Sequence, residues 1–134
     1  MLRIRRAQQE VFGAAEVADF ERRAMVHLRR FFPSVCASLA DPELLDITRR
    51  GIERAASYGV VSERDVTLYL NLMMTLGQDF DRAPGLAWAR AILVDPELPE
   101  PERRMRRLYR AAIEREEAKE QRVALDAERA ARKP

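Results

Sequence analysis

Apolar positions recur along this chain at the three- and four-residue spacing of helices, and nowhere with the strict alternation of a half-buried strand. One stretch departs from the usual helical proportion. Val66, Leu68, Tyr69, Leu70, Leu72, Met73, Met74 and Leu76 are apolar, and only Thr67, Asn71 and Thr75 interrupt them, each four residues apart. At about 100° per residue this spacing makes a single narrow polar stripe on an otherwise greasy cylinder. A surface helix shows roughly the reverse proportion. The pattern therefore predicts a helix over residues 62–77 that neighbouring elements cover on most sides. It falls short of the roughly 20 apolar residues that cross a bilayer.

Both ends of this helix are written in the sequence. Ser62 is an N-cap, Asp65 stands where a capping box closes, and Val61 and Val66 are placed for a hydrophobic staple. Glu63 and Asp65 put negative charge at the positive end of the helix dipole. Gly77 supplies the backbone freedom on which helices often stop.

The other elements follow in chain order. Ile4, Ala7, Val11 and Phe12 share one face of a short first helix that breaks at Gly13. A second helix runs from about Glu16 to Phe32, with Val17, Phe20, Ala24, Leu28 and Phe31 facing inward, and Pro33 ends it. A turn or two of helix follows, with Val35, Cys36 and Leu39 inward. Asp41 as N-cap and Pro42 at the first helical position start a third long helix, which runs to about Tyr58. Its Gly51 permits a close helix contact, and Gly59 is its C-cap. After the central helix come the loop Gln78–Gly85, a helix from Leu86 to about Val94, and a stiff connection through Pro96, Pro99 and Pro101. The last helix begins near Glu100 and presents Met105, Leu108, Tyr109, Ala112 and Ile113. From Glu114 onward apolar residues thin out while helix propensity stays high. The expectation is an all-α fold: one helical domain over residues 1–113, of about five or six helices around the buried 62–77 helix. Residues 114–134 are expected to be an exposed, charged helical extension that frays toward its end.

Composition narrows the function. A chain of 134 residues buries enough surface to need no disulfide or metal staple. Its single Cys36 excludes an internal disulfide and the ordinary cysteine-based zinc sites. Basic and acidic residues nearly balance at 24 and 22, and 22 of the basic ones are Arg. The charged N-terminal residues Arg3, Arg5, Arg6, Glu10 and Glu16 leave no room for a signal peptide core, so the expected location is cytoplasmic.

No catalytic constellation stands out. His27, the sole histidine, lies at the margin of an apolar face and reads as a packing residue. Asp79 and Asp81 flank Phe80. They lack the glycine and spacing of a calcium loop, and read instead as a helix cap (Asp81) beside a hydrophobic anchor (Phe80). The five glycines are scattered, so no phosphate-binding loop is present. The reading is non-enzymatic, with no cofactor and no metal. Residues Ile52–Asn71 have the outline of a helix-turn-helix, which makes a DNA-binding regulator the alternative. Its second helix, however, offers Leu68, Tyr69, Leu70 and Leu72 where a reading surface needs polar and basic groups.

Charge distribution points to a protein partner. Residues 63–100 carry seven acidic and three basic side chains, whereas residues 101–134 carry eleven basic and seven acidic ones. Arg103, Arg104, Arg106, Arg107 and Arg110 crowd the start of the last helix, and arginine clamps carboxylates with two hydrogen bonds. Candidate partner-binding residues are therefore Asp79, Phe80, Asp81 and these five arginines.

Several segments together resemble small helical accessory proteins of unknown activity associated with effector loci of type VI, or contractile, secretion systems. The matching residues are Phe20, His27-Leu28, Phe32-Pro33, Gly51 to Ala55, Tyr58-Gly59, Asp65-Val66, Leu72-Met73, Leu76-Gly77, Phe80-Asp81, Trp88-Ala89 and Ile92-Leu93. The resemblance implies an adaptor, chaperone or immunity partner of a secreted effector encoded nearby. It implies no catalytic residues.

Overall fold

The structure is a computed structural model that describes residues 14–132. The expected first helix, over Ile4–Phe12, lies outside the described residues. The described residues are all-α: α1 (Ala14–Phe31), α2 (Pro33–Cys36), α3 (Asp41–Ser57), α4 (Glu63–Leu76), a 3₁₀ turn (Pro84–Leu86), α5 (Ala87–Leu93) and α6 (Pro101–Arg132). Helix α4 is the predicted central helix. It packs against α1, α3 and α6, and α5 closes against α6.

The polar and apolar surfaces of α4 sort as the pattern requires. Val66, Tyr69, Leu70, Leu72, Met73 and Met74 are buried, while Thr67 and Asn71 are half-buried and Thr75 exposed. Thr67 and Thr75 turn their hydroxyls back onto the carbonyls of Glu63 and Asn71, so they satisfy themselves within the helix. Asn71 reaches outward. Its Oδ1 lies 2.8 Å from His27 Nε2 on α1, and its Nδ2 donates to the Tyr109 hydroxyl on α6 at 3.4 Å. The stripe thus carries one polar link across three helices, and His27 is part of it.

The caps hold with small shifts. Ser62 Oγ accepts from the Asp65 N–H at 3.2 Å, and Val61 and Val66 are both buried, but no return bond from Asp65 to the Ser62 N–H closes the expected capping box. Gly77 has φ 114° and donates to the Met73 carbonyl at 3.1 Å. Helix α3 begins one residue earlier than expected, with Ala40 as N-cap. The reason is that Glu43 reaches back to the Ala40 N–H at 3.1 Å, while Arg29 engages Asp41 at 2.6 Å. Gly59 follows the end of α3 with φ 78°.

Two expected inward positions point outward. Phe31 is 60% exposed and leans on His27, with ring centroids 4.8 Å apart. The buried stripe of α1 runs in steps of four through Phe20, Ala24 and Leu28, so the next inward residue is Phe32, which packs on the core. Val35 is also exposed, because the four-residue α2 turns only Cys36 fully inward. The helix expected from Leu86 is a 3₁₀ turn that becomes helical at Ala87.

At Gly51, side chains of α4 press directly onto the backbone of α3. A Cβ there would lie 2.4 Å from Leu70 Cδ2 and 2.7 Å from Met73 Sδ. Replacement of Gly51 by Val is expected to destabilise the fold by about 1–3 kcal/mol through overpacking. Urea denaturation checks this, with the midpoint falling at unchanged slope.

Candidate functional site

The loop that leaves α4 is an inward anchor. Phe80 is buried against Tyr69, with ring centroids 4.9 Å apart. Asp81 is 0% exposed and does not cap the next helix, as the sequence had suggested. It accepts instead from Arg54 Nη1 at 3.1 Å and from the Tyr58 hydroxyl at 2.7 Å, both at the end of α3. Arg54 also holds the exposed Asp79 at 2.7 Å, which lowers that carboxyl below its ordinary range. A buried carboxylate with a guanidinium and a phenol pins the loop to α3. Phe80 and Asp81 are therefore not available to a partner, and only Asp79 of this trio faces solvent.

The arginine cluster divides in the same way. Arg104 shares the inward face with Met105 and Leu108, and donates to the carbonyls of Leu98, Pro99 and Tyr58. It joins the proline connection to the end of α3 and so has a structural role. The period of α6 could have shown this, since Arg104 falls on the line of Pro101, Met105, Leu108 and Ala112. Arg103, Arg106, Arg107 and Arg110 are exposed.

Arg106 and Arg110 line a groove that sequence reasoning had not found. It has a volume of about 680 Å³ and runs between the first half of α4 and α6. Leu68, Tyr109 and Ile113 give it an apolar floor, and Arg64, Arg106 and Arg110 edge it at one end. A second cleft of about 270 Å³, bounded by Leu72, Thr75 and Glu120, shares Tyr109, Ile113 and Glu117 with the first. Together they trace one furrow along α4 and α6, of mixed charge where the helices begin (Arg64, Arg106 and Arg110 beside Asp65 and Glu102) and acidic at Glu116, Glu117 and Glu120. Ile113, expected in the core, is 48% exposed in this furrow. The missed signal was in the sequence: Tyr109, Ile113, Glu116 and Glu120 repeat at four- and three-residue spacing.

Beyond the furrow, α6 continues as one helix to Arg132, with residues 117–132 exposed. Among the described residues, no group of His, Cys, Asp and Glu is placed to hold a metal ion, and no helix is long and apolar enough to cross a membrane. Comparison with protein-family models, curated proteins and solved structures finds no match.

Two outcomes follow from the Asp81 anchor. Arg54→Met removes the cation hydrogen-bonded to the buried Asp81 carboxylate, leaving the Tyr58 hydroxyl and the exposed Arg82 at 3.8 Å, and is expected to cost about 2–4 kcal/mol; chemical denaturation measures it. Burial raises the Tyr69 phenol above its ordinary 10.0, aided by the nearby Asp81 charge, and burial with the Asp81 hydrogen bond raises Tyr58 as well. The folded state thus holds these protons more tightly than the unfolded chain does. Their contribution is complete below pH of about 10 and is lost as pH rises above it. Melting temperatures measured from pH 8 to 11 should fall at the alkaline end, and less steeply in Tyr69→Phe.

Proposed function

We propose that this chain is a non-catalytic protein-binding module that takes an amphipathic helix of another protein into the α4/α6 furrow. The observation that carries this reading is the furrow itself. It has an apolar floor of Leu68, Tyr109 and Ile113, arginines mixed with Asp65 and Glu102 where the helices begin, and carboxylates at Glu116, Glu117 and Glu120. Helix-in-groove recognition uses such a trough for anchor residues at helical spacing, and its charged rims for orientation. The guest helix would place carboxylates beside Arg64, Arg106 and Arg110, and bases beside Glu116, Glu117 and Glu120.

The resemblance to proteins of secretion-effector loci supplies the biological setting: an adaptor or chaperone acting in the bacterial cytoplasm on a secreted effector encoded nearby. The DNA-binding alternative finds less support. The helix it would place in the major groove is α4, whose Tyr69, Leu70 and Leu72 are buried in the core.

Co-expression with the secreted protein encoded next to it tests this reading. The two are expected to co-purify at moderate salt. Ile113→Asp is expected to weaken the complex at least about tenfold, equivalent to about 1.4 kcal/mol, with helix content unchanged by circular dichroism. If the neighbour does not bind, or if Ile113→Asp binds it as tightly as the wild type, the reading fails.

A further inference from the structure

Most acidic side chains of α6 have a base about one helical turn away. Arg106 stands four residues after Glu102, Arg110 four before Glu114, and Lys119 three after Glu116. Arg122 stands four before Asp126, and Arg132 four after Glu128. Residues at these spacings are neighbours on the helix surface, where opposite charges attract and like charges repel. Of the seven acidic residues in α6, Glu117 and Glu120 are the exceptions. Glu117 has Ile113, Glu114, Glu120 and Gln121 at three and four residues, and Glu120 has Glu116, Glu117, Val123 and Ala124. Within their own helix both therefore meet carboxylates and neutral groups, an arrangement that costs stability.

Their place in the fold gives this charge a direction. Both are exposed, and neither forms an ion pair among the described residues. Glu117 lines both clefts of the furrow and Glu120 the second, beside Leu72 and Ile113. The furrow as a whole has the same sign. Arg64, Arg106 and Arg110 are its three bases, and six acidic residues line it, from Asp65 and Glu102 at one end to Glu120 at the other. Three against six leaves a net charge of −3, in a chain whose net charge is +2. An acidic trough with an apolar floor attracts a cationic amphipathic helix and repels an anionic one. It also repels a phosphate backbone.

We propose that the occupant of the furrow is a net cationic amphipathic helix of the partner. Its apolar side rests on Leu68 and Ile113, and two of its bases, about one turn apart, answer Glu117 and Glu120. The proposal rests on the reading of the furrow as a helix-binding site and specifies the charge of what enters it. Bases three or four residues apart on the guest match the three-residue step from Glu117 to Glu120. Arginine suits both positions, because its guanidinium gives a carboxylate two parallel hydrogen bonds.

Fluorescence anisotropy of the full chain with three designed peptides of about 18 residues, five helical turns, tests the assignment. The peptides share one leucine stripe and differ in the polar face, which is rich in lysine and arginine, in glutamine, or in glutamate. The cationic peptide is expected to bind at least about tenfold more tightly than the neutral one, and about 100-fold more tightly than the anionic one. Glu117→Gln with Glu120→Gln should weaken cationic binding about tenfold and leave neutral binding unchanged. Asp126→Asn with Glu128→Gln removes the same charge from the exposed extension and should change neither. Circular dichroism checks that both variants keep the wild-type helix content. The proposal is overturned if the cationic peptide does not bind, if it has no advantage over the neutral one, or if the two variants weaken it equally. It is also overturned if Arg5→Glu with Arg6→Glu tightens cationic binding about tenfold, which would assign the furrow to this chain's own N-terminal segment. A dimer that the peptide splits in sedimentation would assign it to a second copy, with the same consequence. If the neighbouring effector binds through Ile113 but with no dependence on Glu117 and Glu120, the charge assignment falls and the helix-binding reading stands.

Discussion

Everything in this fold depends on the need to cover α4. Thr67, Asn71 and Thr75 leave it one narrow polar line, and the apolar remainder cannot face water at acceptable cost. At roughly 25 cal/mol per Å² of apolar surface removed from water, residues such as Leu70, Leu72 and Met73 are worth burying only if several helices converge on them. Helices α1, α3 and α6 do so. Gly51 lets α3 approach closely enough to seal one side. The Asp81–Arg54–Tyr58 cluster holds the chain as it leaves α4 and ties that exit to α3. Even the polar line is used, since Asn71 joins α1 to α6 through His27 and Tyr109.

The same demand explains where covering stops. Helix α6 lies on α4 through Met105, Leu108 and Ala112, but its Ile113 face turns away from that contact. Leu68 and Tyr109 stay half-buried beside it. The furrow is the part of the central helix's surroundings that this chain does not fill. On the reading proposed above, a helix that brings its own apolar stripe and matching charges would complete it. The exposed half of α6 is the complementary case, a helix with high propensity and almost nothing of its own chain to pack on. Isolated helices of that length are marginal in water, so packing on another surface would add to its stability.

Most of the fold was legible in the sequence because it is written in periodicity and caps. Ser62, Gly77, Pro33 and Gly51 each act where local chemistry placed them, and Gly59, expected as the C-cap of α3, follows the cap Tyr58 with φ 78°. The errors have specific physical sources. Phe31 and Phe32 both suited the inward face, and the four-residue step from Leu28 decided between them. Asp41 gave way to Ala40 as N-cap because Glu43 and Arg29 compete for that corner. The candidate site was less legible. Asp81 looked like a surface carboxylate because its partner Arg54 lies on another helix, which no local pattern reveals. Arg104 could have been separated from its neighbours by the α6 period. The furrow arises between two helices, so only its α6 half, the Arg106–Glu120 face, was present in the sequence as a pattern.

Hydrogen exchange measured with and without the co-expressed neighbour tests the central claim most directly: a fully covered α4 beside a furrow that takes a helix from outside the chain. The account predicts that amides of residues 63–76 exchange most slowly in both cases. Amides of residues 106–120 should become more protected when the neighbour is present. Unchanged exchange over 106–120, or fast exchange in α4, would contradict it.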